Sequence, residues 1–113
     1  MGRVTIVKNS LTFTIAICSL NGENRLPSTL KALFDQIPLG TPVIVIDDGS
    51  TDKTSEIAKQ YGVTVIRHKV NMGYGYARQS AVEACQTEIL AFIDDSCLVS
   101  RDWFLTLQKD WQE

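Results

Sequence analysis

Four short runs dense in β-branched and aromatic residues, at 12–18, 43–46, 63–67 and 89–93, alternate with segments whose apolar residues recur at helical spacing. That order constrains the fold more than any other feature. A strand, a covering helix and the next strand close readily in one way only, as a right-handed crossover between parallel neighbours. Repeated four times, the unit predicts a three-layer α/β/α domain with a mostly parallel sheet, a single domain over residues 1–113. Helices are expected over residues 25–36, with Leu26, Leu30, Leu33 and Phe34 on one face and Pro27 in the first turn, and over 53–61, with Gly62 as the C-terminal cap. Two more are expected over 76–86, with Ala77, Ala81, Val82 and Cys85 inward, and over 101–111, with Trp103, Phe104 and Leu107 against the sheet. Residues 4–7 read as a short edge strand or as slack before the first long one.

Composition narrows the class. Hydrophobic residues make up 44% and charged residues 21% of the chain, as in an ordinary globular protein. A formal charge of −2 offers no surplus of Lys and Arg to neutralise phosphates, which argues against a nucleic-acid binder. Cys18, Cys85 and Cys97 contain no C-x-x-C pair and leave an odd number, so neither a disulfide framework nor a structural zinc is expected, and a cytoplasmic setting is the simpler one. No apolar stretch approaches the roughly 18 residues of a spanning helix, so a soluble chain is expected, with membrane association only through a parent protein.

Two of the strands end in paired acids, Val45-Ile46-Asp47-Asp48-Gly49-Ser50 and Phe92-Ile93-Asp94-Asp95-Ser96. Parallel sheets bind ligands outside the carboxyl ends of their strands, so four carboxylates are expected on the rim where a ligand would sit. Neighbouring acids repel, and a metal ion, a basic group or a sugar hydroxyl should compensate them. The plainer reading of Asp48-Gly49-Ser50-Thr51-Asp52 is turn chemistry before a helix, and that of Asp94-Asp95-Ser96 an exposed cap. Two such elements at equivalent strand ends make a site the better account.

The segment Asn71-Met72-Gly73-Tyr74-Gly75-Tyr76-Ala77-Arg78 matches the first two glycines of a dinucleotide fingerprint, but Arg78 stands where a third small residue belongs and the segment follows the third strand. NAD is not indicated. No Gly-Lys-Ser or Gly-Lys-Thr occurs, so a P-loop is absent. The loop over residues 68–75 reads as a close backbone approach or as a flexible connector. His68, the one histidine, is expected to be solvent-exposed rather than catalytic, and no Ser/His/Asp or Cys/His set is evident.

The chain resembles the nucleotide-sugar-binding half of the family 2 glycosyltransferases, which have the GT-A fold. Four pieces in order carry the resemblance: Ile17-Cys18-Ser19-Leu20-Asn21-Gly22, Val45 through Thr54 around Asp47-Asp48-Gly49-Ser50, Asn71 through Arg78, and Phe92-Ile93-Asp94-Asp95-Ser96. It implies a Rossmann-like sheet, transfer of a sugar from a nucleotide-diphosphate sugar, a UDP-sugar before others, to an acceptor hydroxyl, and nucleotide contacts from Ser19, Asn21, Glu23, Asp47, Asp48, Gly73, Arg78 and Asp94. Within that set Asp48 matches the acid that hydrogen-bonds uracil, and Arg78 a basic residue of the nucleotide pocket.

Asp94, Asp95 and Ser96 match the family's Asp-x-Asp element, which implies Mg²⁺ or Mn²⁺ on the diphosphate; Ser96 stands in the second aspartate's place, and Gln79 where an Asn is usual. In the family a second half supplies the acceptor site and, in inverting members, a carboxylate base. No catalytic residue is therefore assigned within the 113 residues, and weak or absent transfer by the chain alone is expected. The alternative is a non-catalytic nucleotide-sugar-binding module that assembles with itself, as a homo-oligomer, or with another chain to cover the edge of the fourth strand. A receiver-type signalling domain fits worse, because its acids would follow the first and third strands.

Overall fold

A computed structural model describes residues 11–112; the strand considered at residues 4–7 lies outside them. The elements follow the expected order: β1 (Phe13–Ser19), α1 (Leu26–Phe34), β2 (Val43–Asp47), α2 (Thr54–Gln60), β3 (Thr64–Arg67), α3 (Tyr74–Ala84), β4 (Ile89–Asp94) and α4 (Trp103–Gln112). The four strands form one parallel sheet in the order β3-β2-β1-β4. The chain moves outward from β1 to β3, then crosses back over the sheet to place β4 on the other side of β1. This reversal leaves a crevice at the carboxyl ends of β1 and β4, the place where open α/β sheets bind ligands.

Alternation along the strands sorts the core into two faces. Phe13, Ile15, Ile17, Val43 and Val45 meet Leu26, Leu30 and Leu33 of α1, Ala58 of α2 and Phe104 of α4. Phe13 and Phe104 pack edge to face with centroids 5.5 Å apart. On the opposite face Ala16, Ile44 and Ile46 meet Ala77 and Ala81 of α3, small residues that let this helix lie close on the sheet. Trp103 and Leu107 pack against the first face as expected.

Three details differ from the sequence-based expectation. Phe34 is 39% exposed, and Ile37, beyond the end of α1, completes the buried row begun by Leu26, Leu30 and Leu33. The helix stops first because Pro38 lies just ahead and disfavours helical backbone before it. Helix α3 begins at Tyr74, so Gly75 lies inside it, and Gly73, at φ +97°, makes the left-handed step into it. With that start only Ala77 and Ala81 of the four expected residues are buried; Val82 is 52% exposed, and Cys85 lies past the helix end in extended backbone.

Candidate functional site

The register aligns the strand tips: Ser19 lies beside Asp47, Cys18 beside Asp94, and Asp47 beside Arg67. All four acids therefore reach one rim, but β1 separates the Asp47-Asp48 pair from the Asp94-Asp95 pair. The compensation anticipated from their repulsion comes largely from the protein itself.

Asp47 is 0% exposed. Its carboxylate accepts from the Ser50 backbone N–H at 2.9 Å and from the Ser55 hydroxyl, and Arg67 stands 3.9 Å away. It ties the turn after β2 to helix α2, and in this structure none of it faces solvent. The turn is pinned again by Asp52, whose carboxylate accepts from the Thr54 backbone N–H at 2.9 Å and from that of Glu23 at 3.2 Å.

Asp48 is 5% exposed and lines a cleft of about 270 Å³ together with Cys18, Ser19, Leu20, Gly73 and Tyr74. Its Oδ1 accepts from His68 Nδ1 at 2.8 Å and from the Met72 N–H at 2.9 Å; Oδ2 accepts from the Gly73 N–H at 3.0 Å. Burial pushes its pKa up, but those three donors outweigh burial and hold the carboxyl below the usual carboxylate range. His68, expected in solvent, is instead largely enclosed, with its Nε2 2.8 Å from Ser80 Oγ and its ring edge-on to Tyr76. The register makes this intelligible, because one residue past the Asp47–Arg67 pair His68 falls beside Asp48.

Across β1, Asp95 accepts from Arg25 Nε at 3.0 Å, from Arg25 Nη2 at 2.8 Å and from the Ser19 hydroxyl at 2.7 Å. Burial again pushes its pKa up, and the Arg25 and Ser19 hydrogen bonds bring it below the usual range. Both Asp95 oxygens and the Ser19 hydroxyl are thus engaged with each other and with Arg25, a residue that sequence reasoning missed because its partner lies 70 positions away. Gly22 lies beneath this cluster: a Cβ there would stand 2.2 Å from Ser19 Oγ and 2.6 Å from Asp95 Oδ2. Asn21, at φ +52°, accepts from the Thr51 N–H at 2.9 Å, so its side chain braces the same turn. Glu23 is half-buried near that turn, held by its backbone amide.

Arg78 stacks over Phe92 of β4 at 4.0 Å from the ring centroid and donates to the Tyr74 hydroxyl at 3.0 Å. It reaches the cleft through Tyr74. Asp94 and Ser96 are exposed, and no side-chain partner of the Asp94 carboxylate is found among the described residues. No cluster of three or more His, Cys, Asp or Glu side chains there could hold a metal ion unaided. The donors fit an ion brought in with its ligand, since Mg²⁺ commonly takes one or two protein carboxylates and completes its shell with phosphate oxygens and water.

Asp48, Asp52 and Asp95 all carry depressed pKa values in the folded chain, with burial opposing and hydrogen bonds prevailing in each. The unfolded chain binds those protons more readily, so their stabilisation is complete above the ordinary carboxylate value of about 4 and is lost as pH falls through the depressed folded values. Urea midpoints measured from pH 6 to pH 3 are expected to fall steeply below about pH 4. Asp95→Asn should flatten that fall, and an equally steep one in the variant would contradict the assignment.

A model of glycosyl transferase family 2 matches residues 14–113. The chain belongs to glycosyl transferase family 2. It is 34% identical over 116 residues to the 4,4'-diaponeurosporenoate glycosyltransferase of Staphylococcus aureus, covering 96% of this chain and 30% of that protein. Its fold superposes on the S. aureus TarS 1-349 structure in complex with UDP-GlcNAc with a TM-score of 0.79 and 25% identity, over 86% of this chain and 30% of that one. It also superposes on the glucosyl-3-phosphoglycerate synthase of Mycobacterium tuberculosis, solved with Mn²⁺, UDP and glucosyl-3-phosphoglycerate, with a TM-score of 0.68 and 28% identity, over 78% of this chain and 34% of that one. The family 2 chain thus has the α/β arrangement of GT-A glycosyltransferases, and spans about a third of the length of these relatives.

Proposed function

We propose that this chain is the donor-binding portion of an enzyme that moves a sugar from a UDP-sugar to an acceptor hydroxyl. The observation that carries the reading is the cleft between the end of β1 and the start of α3, with the hydrogen-bonded Asp48 carboxylate on its wall. A carboxylate accepts and never donates, so it suits a base that presents an N–H, as uracil does at N3. Two of the solved relatives were captured with UDP or UDP-GlcNAc, and one of them also with Mn²⁺.

In this reading the base lies against Asp48 and Tyr74, and the diphosphate points across β1 toward Asp94. Asp94, with the Ser96 hydroxyl, would hold Mg²⁺ or Mn²⁺ there. When bound, that ion neutralises charge gathering on the leaving diphosphate. Arg25 keeps the β4 tip in place through Asp95, while Arg78 orients Tyr74 at the cleft mouth. Asp48, the carboxylate that lines the cleft, is held by His68, Met72 and Gly73, and His68 in turn by Asp48 and Ser80, so neither is assigned as the base for an acceptor. The base is assigned to residues outside this chain.

Calorimetric titration of the chain with UDP, UDP-glucose and GDP-mannose in the presence of Mn²⁺ tests the proposal. Uridine nucleotides should bind, and Asp48→Ala should weaken them by about tenfold or more, the worth of a hydrogen bond to a charged group. Absence of binding under every condition overturns the reading.

A second reading, a binding module that assembles with itself or another chain, draws on β4. That strand pairs only with β1 among the described residues, and Leu98, a few residues past its end, is exposed. A strict monomer in solution scattering would count against it. Half-buried free thiols at Cys18, Cys85 and Cys97 accord with the cytoplasmic setting we propose.

A further inference from the structure

We infer that His68 is a specificity-determining positioning residue, which with Ser80 behind it holds the Asp48 carboxylate in the one orientation that accepts a uracil N3–H. The inference rests on the UDP-sugar reading above and adds to it the group that makes Asp48 selective.

A carboxylate offers about four acceptor positions. Three of those on Asp48 are filled by the protein: His68 Nδ1 at 2.8 Å and the Met72 N–H at 2.9 Å on Oδ1, and the Gly73 N–H at 3.0 Å on Oδ2. One position on Oδ2 is left, on a side chain that lines the cleft. A ligand donor placed there completes the set; a ligand acceptor or a methyl group does not.

The two backbone donors come from the loop before α3, whereas His68 comes from the end of β3 and fixes the carboxylate from a second direction. The ring is itself held at both nitrogens. Because Asp48 can only accept, Nδ1 carries the hydrogen of that contact, and Nε2 meets Ser80 Oγ at 2.8 Å. Tyr76 closes the ring's remaining edge at 5.4 Å between centroids. The chain Asp48–His68–Ser80 therefore links the tips of β2 and β3 to the second turn of α3, and no step proposed for sugar transfer uses His68. An oriented acceptor discriminates because it cannot swing away from a mismatched base, which leaves buried polar atoms unpaired.

The test compares affinities of the 113-residue chain for UDP and for N3-methyl-UDP, which differ only in the hydrogen read by Asp48. The unsubstituted protein should prefer UDP by about tenfold or more, the discrimination expected of one charged hydrogen bond. His68→Ala should reduce the preference to about threefold or less, while His68→Asn, whose amide N–H can take the place of Nδ1, should restore most of it. A merely structural role for His68 would lower both affinities together and leave the ratio alone, and that result overturns the inference. Failure of His68→Asn to recover the ratio overturns it as well. Should His68→Ala not fold, Ser80→Ala keeps the ring but frees its far nitrogen; an unchanged ratio in that variant is equally fatal. If the unsubstituted chain binds no UDP at all, the UDP-sugar reading itself has failed; if it binds UDP with a ratio indifferent to residue 68, only this inference has.

Discussion

Gly49→Ala is expected to lower the unfolding free energy by about 3 kcal/mol or more, which for a domain of this size brings the thermal midpoint down by roughly 10–20 °C. Two effects combine. Gly49 sits at φ +84°, where an L side chain costs about 1–2 kcal/mol. The new Cβ would also stand 2.4 Å from the Val70 carbonyl carbon and 2.5 Å from the Asn71 nitrogen, backbone atoms that cannot rotate away. Relief requires shifting the loop that supplies the Met72 and Gly73 amides to Asp48, so nucleotide affinity should fall with stability. Gly62→Ala is the matched control. Its φ is +76° but nothing lies within 4 Å of the added carbon, so it should cost only about 1 kcal/mol. Equal midpoints for the two variants in thermal unfolding would show that the turn after β2 does not approach that loop as described.

Asp47→Ala should destabilise by about 3 kcal/mol, through a different mechanism. Removing this buried carboxylate leaves the Ser50 N–H and the Ser55 hydroxyl without their acceptor in a place water does not reach. Arg67 adds little to this cost, because its side chain is half exposed and keeps its 3.0 Å hydrogen bond to the Ser50 carbonyl. Asp47→Asn keeps an acceptor for Ser50 and should lose about half as much. The adjacent substitution, Asp48→Ala, also costs stability, since His68 and the Met72 and Gly73 amides lose their acceptor, but because its carboxylate lines the cleft it should weaken UDP as well. Urea denaturation with parallel UDP titrations separates the pair: an Asp47→Ala protein of normal stability that no longer binds UDP would return Asp47 to the ligand.

The acids differ because neighbours of the same type in the chain point to opposite sides of a strand tip. Asp47 is the last residue of β2 and turns into the layer between sheet and α2, whereas Asp48, one step on, turns toward α3 and the cleft. Their composition and spacing are identical to those of Asp94-Asp95, yet there the order is reversed: Asp94 is exposed and Asp95 is drawn inward by Arg25, Ser19 and, at its backbone carbonyl, Thr29. That the pairs share one rim was legible in the sequence; which member of each pair turns inward was not.

The alternation of apolar runs with helix-spaced segments settled the number of elements, their order and the parallel sheet, because strand and helix periodicities are local and crossover handedness leaves few topologies open. It likewise placed the paired aspartates at strand tips, which follows from where each apolar run stops. The roles of the individual acids rest on contacts between residues far apart in the chain, such as Arg25 with Asp95 and His68 with Asp48. Such contacts depend on register and on which side of the strand a side chain leaves, and no local propensity encodes a partner 70 positions distant. Folding thus divided four similar carboxylates into one buried brace, one clamp for the β4 tip, one exposed to solvent and one held by three donors on the wall of the cleft.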